Sequence, residues 1–118
     1  MNLTTAQQLS SAFLNSSVSI YKELLQTQEK VITEKFFFNA GQISYALSEI
    51  IETEPKVLRI QKIDLAYTYV KQTINNIKLL KKLSLISDTL DSLLEEANQL
   101  AKAIKSYLDT ERNVNSSK

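Results

Sequence analysis

The chain has 118 residues, with one glycine, one proline and neither cysteine nor histidine. This length suits a single domain, and so few turn-forming residues argue against a β-sheet protein, so we predict an all-α fold. Without thiol or imidazole groups, the common nucleophiles, bases and soft metal ligands are missing. We therefore expect no enzyme activity, no cofactor and no bound metal. Because no window resembles a membrane span or a signal peptide, we expect a cytoplasmic protein with no membrane partner.

The charges are unevenly distributed, although the net charge is only +1. Residues 56–82 contain seven basic and one acidic side chain, whereas residues 1–55 contain three basic and six acidic ones. Residues 83–100 contain four acids and no base. A basic strip within a near-neutral chain indicates a polyanion or an acidic protein as partner.

The first predicted helix covers residues 5–30. Its apolar stripe is formed by Leu9, Phe13, Ile20 and Leu24. Two adjacent serines, Ser16 and Ser17, fall in the middle of this stripe. They favour ordinary, weaker packing over a specialised close approach of helices.

The second predicted helix begins at Thr33, a plausible N-cap. Its core stripe consists of Phe36, Ala40, Ile43, Leu47 and Ile50. Gly41 lies inside the helix, where glycine costs about 1 kcal/mol relative to alanine, so we predict close contact with a neighbouring helix there. Three consecutive phenylalanines, at 36–38, point in different directions on a helix. At least one should leave the core, where it is available to a subunit boundary.

The third predicted helix begins beside Pro55, since proline is favoured in the first helical turn. Its inner stripe consists of Ile60, Ile63, Tyr67, Val70, Ile74 and Ile77. Three leucines recur at intervals of seven and fourteen residues on nearly the opposite side, at Leu58, Leu65 and Leu79. This outward line predicts an oligomer interface, with scattered surface leucines as the alternative.

The fourth predicted helix follows a short apolar connection at residues 83–86, with Ser87 as its N-cap. Its inner stripe consists of Leu90, Leu94, Ala97, Ala101, Ile104 and Leu108. We predict a single domain over residues 1–110 and a disordered polar tail over residues 111–118. The simplest assembly is an up-down antiparallel four-helix bundle, and a three-helix arrangement with a detached first helix is the alternative.

The candidate binding residues all lie on the third helix. They are Arg59, Lys62, Tyr69, Lys71, Lys78, Lys81 and Lys82. Lysines and arginines neutralise phosphates, and an exposed tyrosine adds a surface for stacking. The alternative is that acids of the second and fourth helices pair with these cations and neutralise them. One face of the fourth helix carries three acids, Asp88, Asp91 and Glu95. We interpret this face as solvent-exposed and not as a metal site, because the chain has no histidine to complete a di-metal site.

The segment 79–87 has the sequence Leu-Leu-Lys-Lys-Leu-Ser-Leu-Ile-Ser and is followed by Leu90, Leu93, Leu94, Glu95 and Glu96. This part of the chain resembles the S23-type four-helix-bundle proteins. It is similar to the end of their third helix, the loop that follows and the start of their fourth helix. Residues 43–51 and 57–70 also resemble that family, so the similarity covers about residues 20–108. The family includes the accessory variability protein of diversity-generating retroelements.

This resemblance implies a non-enzymatic bundle that assembles as a ring-like homopentamer. In the retroelement branch it implies binding to a reverse transcriptase and to template RNA or DNA. Lys71, Lys78, Lys81 and Lys82 are then the candidate contacts. The resulting hypothesis is an oligomeric adaptor that engages RNA or a reverse transcriptase through a basic helix. The alternative is a structural or regulatory helical module that binds another protein through its leucines and has no nucleic-acid role.

Overall fold

A computed structural model describes residues 2–27, 29–83 and 87–116, without the side chains of residues 87 and 114–116. These residues form four helices and no strand, which confirms the predicted all-α class. The helices are α1 (Leu3–Leu24), α2 (Val31–Ser48), α3 (Lys56–Leu83) and α4 (Ser87–Ser116).

The helices form an up-down bundle, in which each helix packs against the next and α4 returns to pack against α1. Within the described residues, diagonally opposite helices make no backbone contact. The bundle measures 53 × 20 × 19 Å, the shape that long antiparallel helices with short connections produce. The alternative with a detached first helix is wrong, because α1 contacts both α2 and α4.

The core lies between the four apolar stripes. Its fully buried large side chains are Phe13, Leu24, Phe36, Ile43, Leu47, Ile63, Ile77, Leu80, Leu90, Leu93, Leu100 and Ile104. On α1 the stripe runs through the small residues Ser10 and Ser17, and the Ser17 hydroxyl donates to the carbonyl of Phe13 at 2.8 Å. Among the described residues no buried side-chain nitrogen or oxygen lacks a partner. The hydrogen bonds of the serine hydroxyls therefore offset the cost of removing them from water.

The turn between α1 and α2 falls earlier than predicted. Helix α1 ends at Leu24, six residues before the expected boundary, and the Thr27 hydroxyl donates to the Leu24 carbonyl at 2.7 Å. The Glu29 carboxylate accepts the amide of Ile32 at 2.8 Å and so caps the start of α2. Thr33 lies inside α2 and is buried, so its predicted role as N-cap is wrong. Its hydroxyl donates to the Glu29 carbonyl instead.

The start of α3 agrees with the prediction. The carbonyl of Pro55 accepts the amides of Leu58 and Arg59 at 3.0 and 3.2 Å, so the first turn closes directly on the proline. Leu83, the first residue of the predicted connection at 83–86, lies in α3. Residues 84–86 and the side chain of Ser87 lie outside the described part of the chain.

Helix α4 continues to Ser116, past the boundary at residue 110 that the sequence predicted. No glycine or proline interrupts residues 111–116, and the Glu111 side chain is held by Arg59 on α3. Residues 117 and 118 of the predicted disordered tail lie outside the described part of the chain.

The predicted close helix contact at Gly41 is wrong. A Cβ atom added there meets no other atom within 4 Å, so open space lies beside this glycine. Gly41 borders a groove on the outer surface between α1 and α2. Within the described residues, no helix combines the length and the apolarity needed to cross a membrane.

Candidate polyanion-binding surface

Three of the seven cations in the basic strip are paired with acids of the same chain. Arg59 contacts Glu111 on α4 at 3.1 Å. Lys62 contacts Glu54, in the α2–α3 connection, at 2.9 Å, and Lys81 pairs with Asp91 on α4. Pairing with acids of α4 is therefore confirmed for Arg59 and Lys81, whereas the partner of Lys62 lies in the α2–α3 connection and not on the second helix. All three cations have less charge to offer a ligand. Pairs of this kind typically contribute about 0–1 kcal/mol each.

The remaining members of the strip are Lys56, Lys71, Lys78 and Lys82, and none forms an ion pair with a described acid. Lys71, Lys78 and Lys82 are exposed on the outer surface of α3, and we call them the lysine line. At 1.5 Å per residue, Lys71 and Lys78 are separated by about 10 Å along the helix, and Lys82 follows about 6 Å further on. The lysine line thus presents three charges along one side of the bundle.

The carboxyl end of α3 concentrates positive charge. Lys78, Lys81 and Lys82 line a shallow depression of about 390 Å³ there. Cations at this position are also favoured by the partial negative charge at the helix terminus. The depression is open to solvent, so it suits a charged surface such as a phosphate backbone.

The two tyrosines of α3 lie on different edges of the helix. The sequence places Tyr67 on the inner stripe, but it is half-buried at the edge of α3 that faces α4, and the Lys71 ammonium lies 4.8 Å from its ring centre. Tyr69 is half-buried on the opposite edge, in a groove with Lys62. Tyr69 is therefore separated from the lysine line, whereas Tyr67 is next to it.

Helix α4 contributes basic residues to this surface that the sequence reasoning missed. A groove of about 350 Å³ between α3 and α4 is lined by Tyr67, Asn98, Ala101, Lys102 and Lys105. We call it the α3–α4 groove. Spacings of four and three residues along α4 place its three polar members on one helix face, a signal present in the sequence. That signal gains meaning only once α4 is known to lie beside Tyr67.

A second, apolar surface is centred on α2. Phe38 and Tyr45 are 59% and 61% exposed on its outer side. A groove of about 370 Å³ between α2 and α3 is lined by Tyr45, Leu65 and Tyr69, among others. We call this region, with Leu58, the apolar face. Phe36 is buried and Phe37 stacks on Tyr21 at 4.0 Å, so the expectation that one phenylalanine of the run leaves the core is confirmed by Phe38.

The predicted interface leucines are all partly accessible. Leu58, Leu65 and Leu79 are 43%, 49% and 45% exposed.

The hydroxyl of Tyr45 donates to the Glu49 carboxylate, and this bond raises the pKa of Tyr45 above its ordinary value. The polar end of this tyrosine is thereby satisfied while its ring stays exposed, the usual arrangement of an aromatic contact residue.

Two acids in the first half of α4, Asp91 and Glu96, have partners within the chain. Asp91 pairs with Lys81, and the Glu96 carboxylate accepts the Ser16 hydroxyl at 3.0 Å. Among the described residues, no three acidic side chains lie together in an arrangement that would hold a metal ion.

The geometry defines a four-helix bundle with a basic surface on α3 and α4 and an apolar face centred on α2. A crystal structure of a protein of unknown function, from the S23 ribosomal protein family of Bacteroides thetaiotaomicron VPI-5482, has the same fold, with a TM-score of 0.84. The two chains are 20% identical over 92% of this chain and 99% of the other. The resemblance to S23-type bundles is therefore confirmed at the level of fold. No protein-family model and no curated protein sequence matches the chain.

Proposed function

We propose that this protein is a non-enzymatic, oligomeric adaptor that binds RNA, or a reverse transcriptase that carries RNA, through the lysine line on α3. The observation that carries the proposal is that Lys71, Lys78 and Lys82 are exposed and form no ion pair with a described acid, whereas Arg59, Lys62 and Lys81 are engaged with acids. Cations without an internal partner keep their charge available for phosphates.

An oligomer would strengthen this function. Three lysines on one bundle make a weak site, but a symmetric assembly repeats them in a regular array. The apolar face, with the exposed leucines of α3, supports the assembly, because patches of aromatic and aliphatic side chains mark interfaces more often than chance exposure does. A homopentamer, as the S23-type resemblance implies, is one such array.

The test replaces the lysine line as a unit. In the variant Lys71→Gln, Lys78→Gln, Lys82→Gln, we expect RNA affinity to fall. The slope of log affinity against log salt should become shallower by about 2, since each single-strand phosphate contact contributes about 0.7. The measurement is fluorescence anisotropy with a labelled single-stranded RNA over a series of salt concentrations.

A matched control removes the same charge elsewhere. Lys22, Lys30 and Lys35 are exposed on α1 and at the start of α2, so their triple change to Gln gives the same net charge. This control should retain the salt slope of the parent protein. Equal losses in both triple variants would mean that only net charge matters and would overturn the proposed role of the lysine line.

The alternative function is a protein-interaction module without a nucleic-acid role. It is favoured by one observation, the exposure of Phe38 and of Tyr45, which shares a groove with Leu65. A partner bound through these side chains should dissociate little when salt is added, because apolar contacts are insensitive to screening. Salt dependence therefore separates the two functions.

A further inference from the structure

The α3–α4 groove gathers hydrogen-bond donors around one opening. Its lining includes Tyr67, Asn98, Lys102 and Lys105, whose side chains carry a hydroxyl, an amide and two ammonium groups. Lys71 lies next to the groove, because its ammonium is 4.8 Å from the centre of the Tyr67 ring. Ala101 supplies the apolar part of the lining.

Within the described residues, little negative charge opposes these lysines. Lys105 contacts Asp109, four residues along α4, at 3.1 Å, and both side chains are about half exposed. Neither Lys71 nor Lys102 forms an ion pair with a described acid. An exposed pair such as Lys105–Asp109 is weak enough to open when a more highly charged anion enters.

The chemistry of the groove selects the class of anion. Lysine ammonium groups act as point charges, which suit a tetrahedral group with several oxygens, whereas planar carboxylates are matched better by arginine. An internal phosphodiester carries one negative charge, but a phosphate monoester carries about −1.5 to −2 at neutral pH. Two lysines in the lining, with Lys71 next to the groove, therefore favour the monoester.

We propose that the α3–α4 groove is a binding site for a phosphate monoester, the group found on a mononucleotide or at the 5′ end of a nucleic-acid strand. Lys71, Lys102 and Lys105 neutralise the dianion, while Tyr67 and Asn98 donate hydrogen bonds to its oxygens. The site shares Lys71 with the lysine line, but its other two cations, Lys102 and Lys105, lie on α4 outside that line.

The experiment is an amide-resolved NMR titration of the full chain with AMP at low ionic strength, with adenosine as the uncharged comparison. We expect saturable shifts at Tyr67, Asn98 and Lys102 with AMP and none with adenosine. The variant Lys102→Gln, Lys105→Gln should weaken AMP binding about 25-fold, from about fivefold for each charge removed at close range. Circular dichroism verifies that this variant stays helical, as expected for two exposed side chains.

A matched control distinguishes this site from the lysine line. The variant Lys78→Gln, Lys82→Gln loses the same charge outside the groove, so it should bind AMP within about twofold of the parent. It should nevertheless lose RNA affinity if the proposed function holds. The two proposals can therefore fail separately.

Two oligonucleotides of one sequence, with a 5′ phosphate or a 5′ hydroxyl, identify the source of the monoester. Tighter binding of the phosphorylated strand, lost in the groove variant, assigns the site to strand ends. Equal binding of the two strands together with saturable AMP binding assigns it to free nucleotides. Shifts that do not saturate with AMP, or equal weakening in both double variants, would overturn the site.

Discussion

The guanidinium group of Arg59 on α3 contacts the carboxylate of Glu111 on α4 at 3.1 Å. The same group donates to the backbone carbonyls of Glu52 and Glu54 at 3.2 and 2.6 Å. Arg59 thus joins the α2–α3 connection to the last turns of α4. This contact anchors the part of α4 beyond residue 110.

Replacing Arg59 should destabilise the bundle more than replacing its acidic partner. For Arg59→Gln we expect the free energy of unfolding to fall by about 1–2 kcal/mol, because two backbone carbonyls and a carboxylate lose a charged donor. Glu111→Gln should cost about 0.5–1 kcal/mol, since the carbonyl contacts remain. Urea denaturation measures both values. The exposed Arg112→Gln is the control, and a loss for Arg59→Gln no larger than for this control would contradict the anchoring role.

Gly41→Ala should stabilise the protein. The added methyl group meets open space, and alanine loses less backbone entropy than glycine inside a helix, so we expect a gain of about 0.5–1 kcal/mol. The midpoint of thermal or urea unfolding gives the measurement. A loss of stability would show that the glycine is required for close approach after all.

The Lys62–Glu54 contact should make the free energy of unfolding depend on pH in the acidic range. The hydrogen bond from Lys62 lowers the pKa of Glu54 below its ordinary value of 4.5. Folding therefore favours the ionised carboxyl. The contribution of the contact to stability is present above the pKa that Glu54 has in the unfolded chain, and it is lost as pH falls through the pKa that Glu54 has in the folded protein. The Glu54→Gln variant should be less stable than the parent at pH 7, and its stability should approach that of the parent at low pH. Urea unfolding at a series of pH values tests this, and parallel curves at all pH values would contradict it.

Leu65 tests the apolar face as an assembly surface. A charge placed there by Leu65→Glu should reduce the mass of any oligomer, because burying an unpaired carboxylate in an interface costs free energy. Gln99→Glu adds the same charge on the exposed surface of α4 and should leave the mass unchanged. Size-exclusion chromatography with light scattering gives both masses. Equal masses for the two variants would place the interface elsewhere.

The helices and most core positions were accessible from sequence, because apolar residues spaced by three and four mark the inner face directly. The positions at which the helices begin and end were harder to predict. Helix α2 begins two residues before Thr33 because the Glu29 side chain reaches the amide of Ile32, a local contact that competes with the expected cap. Tyr67 follows the apolar spacing but falls at the edge of a broad stripe, where periodicity does not separate core from groove.

The binding surface was less accessible from sequence. The basic strip is visible in the chain, but which cations are neutralised depends on residues distant in sequence, such as the partners Arg59 and Glu111. Lys102 and Lys105 gain significance only because α4 lies beside Tyr67 on α3. A single helix therefore indicates charge, whereas the packing of two helices defines the site.

The most direct test of the adaptor function is the light-scattering mass of the protein, measured alone and with a structured RNA at low and high salt. The proposal predicts a multimer that gains mass with RNA at low salt and releases it at high salt, because phosphate contacts are screened. A monomer whose mass is indifferent to RNA at every salt concentration would contradict both the assembly and the role of the lysine line.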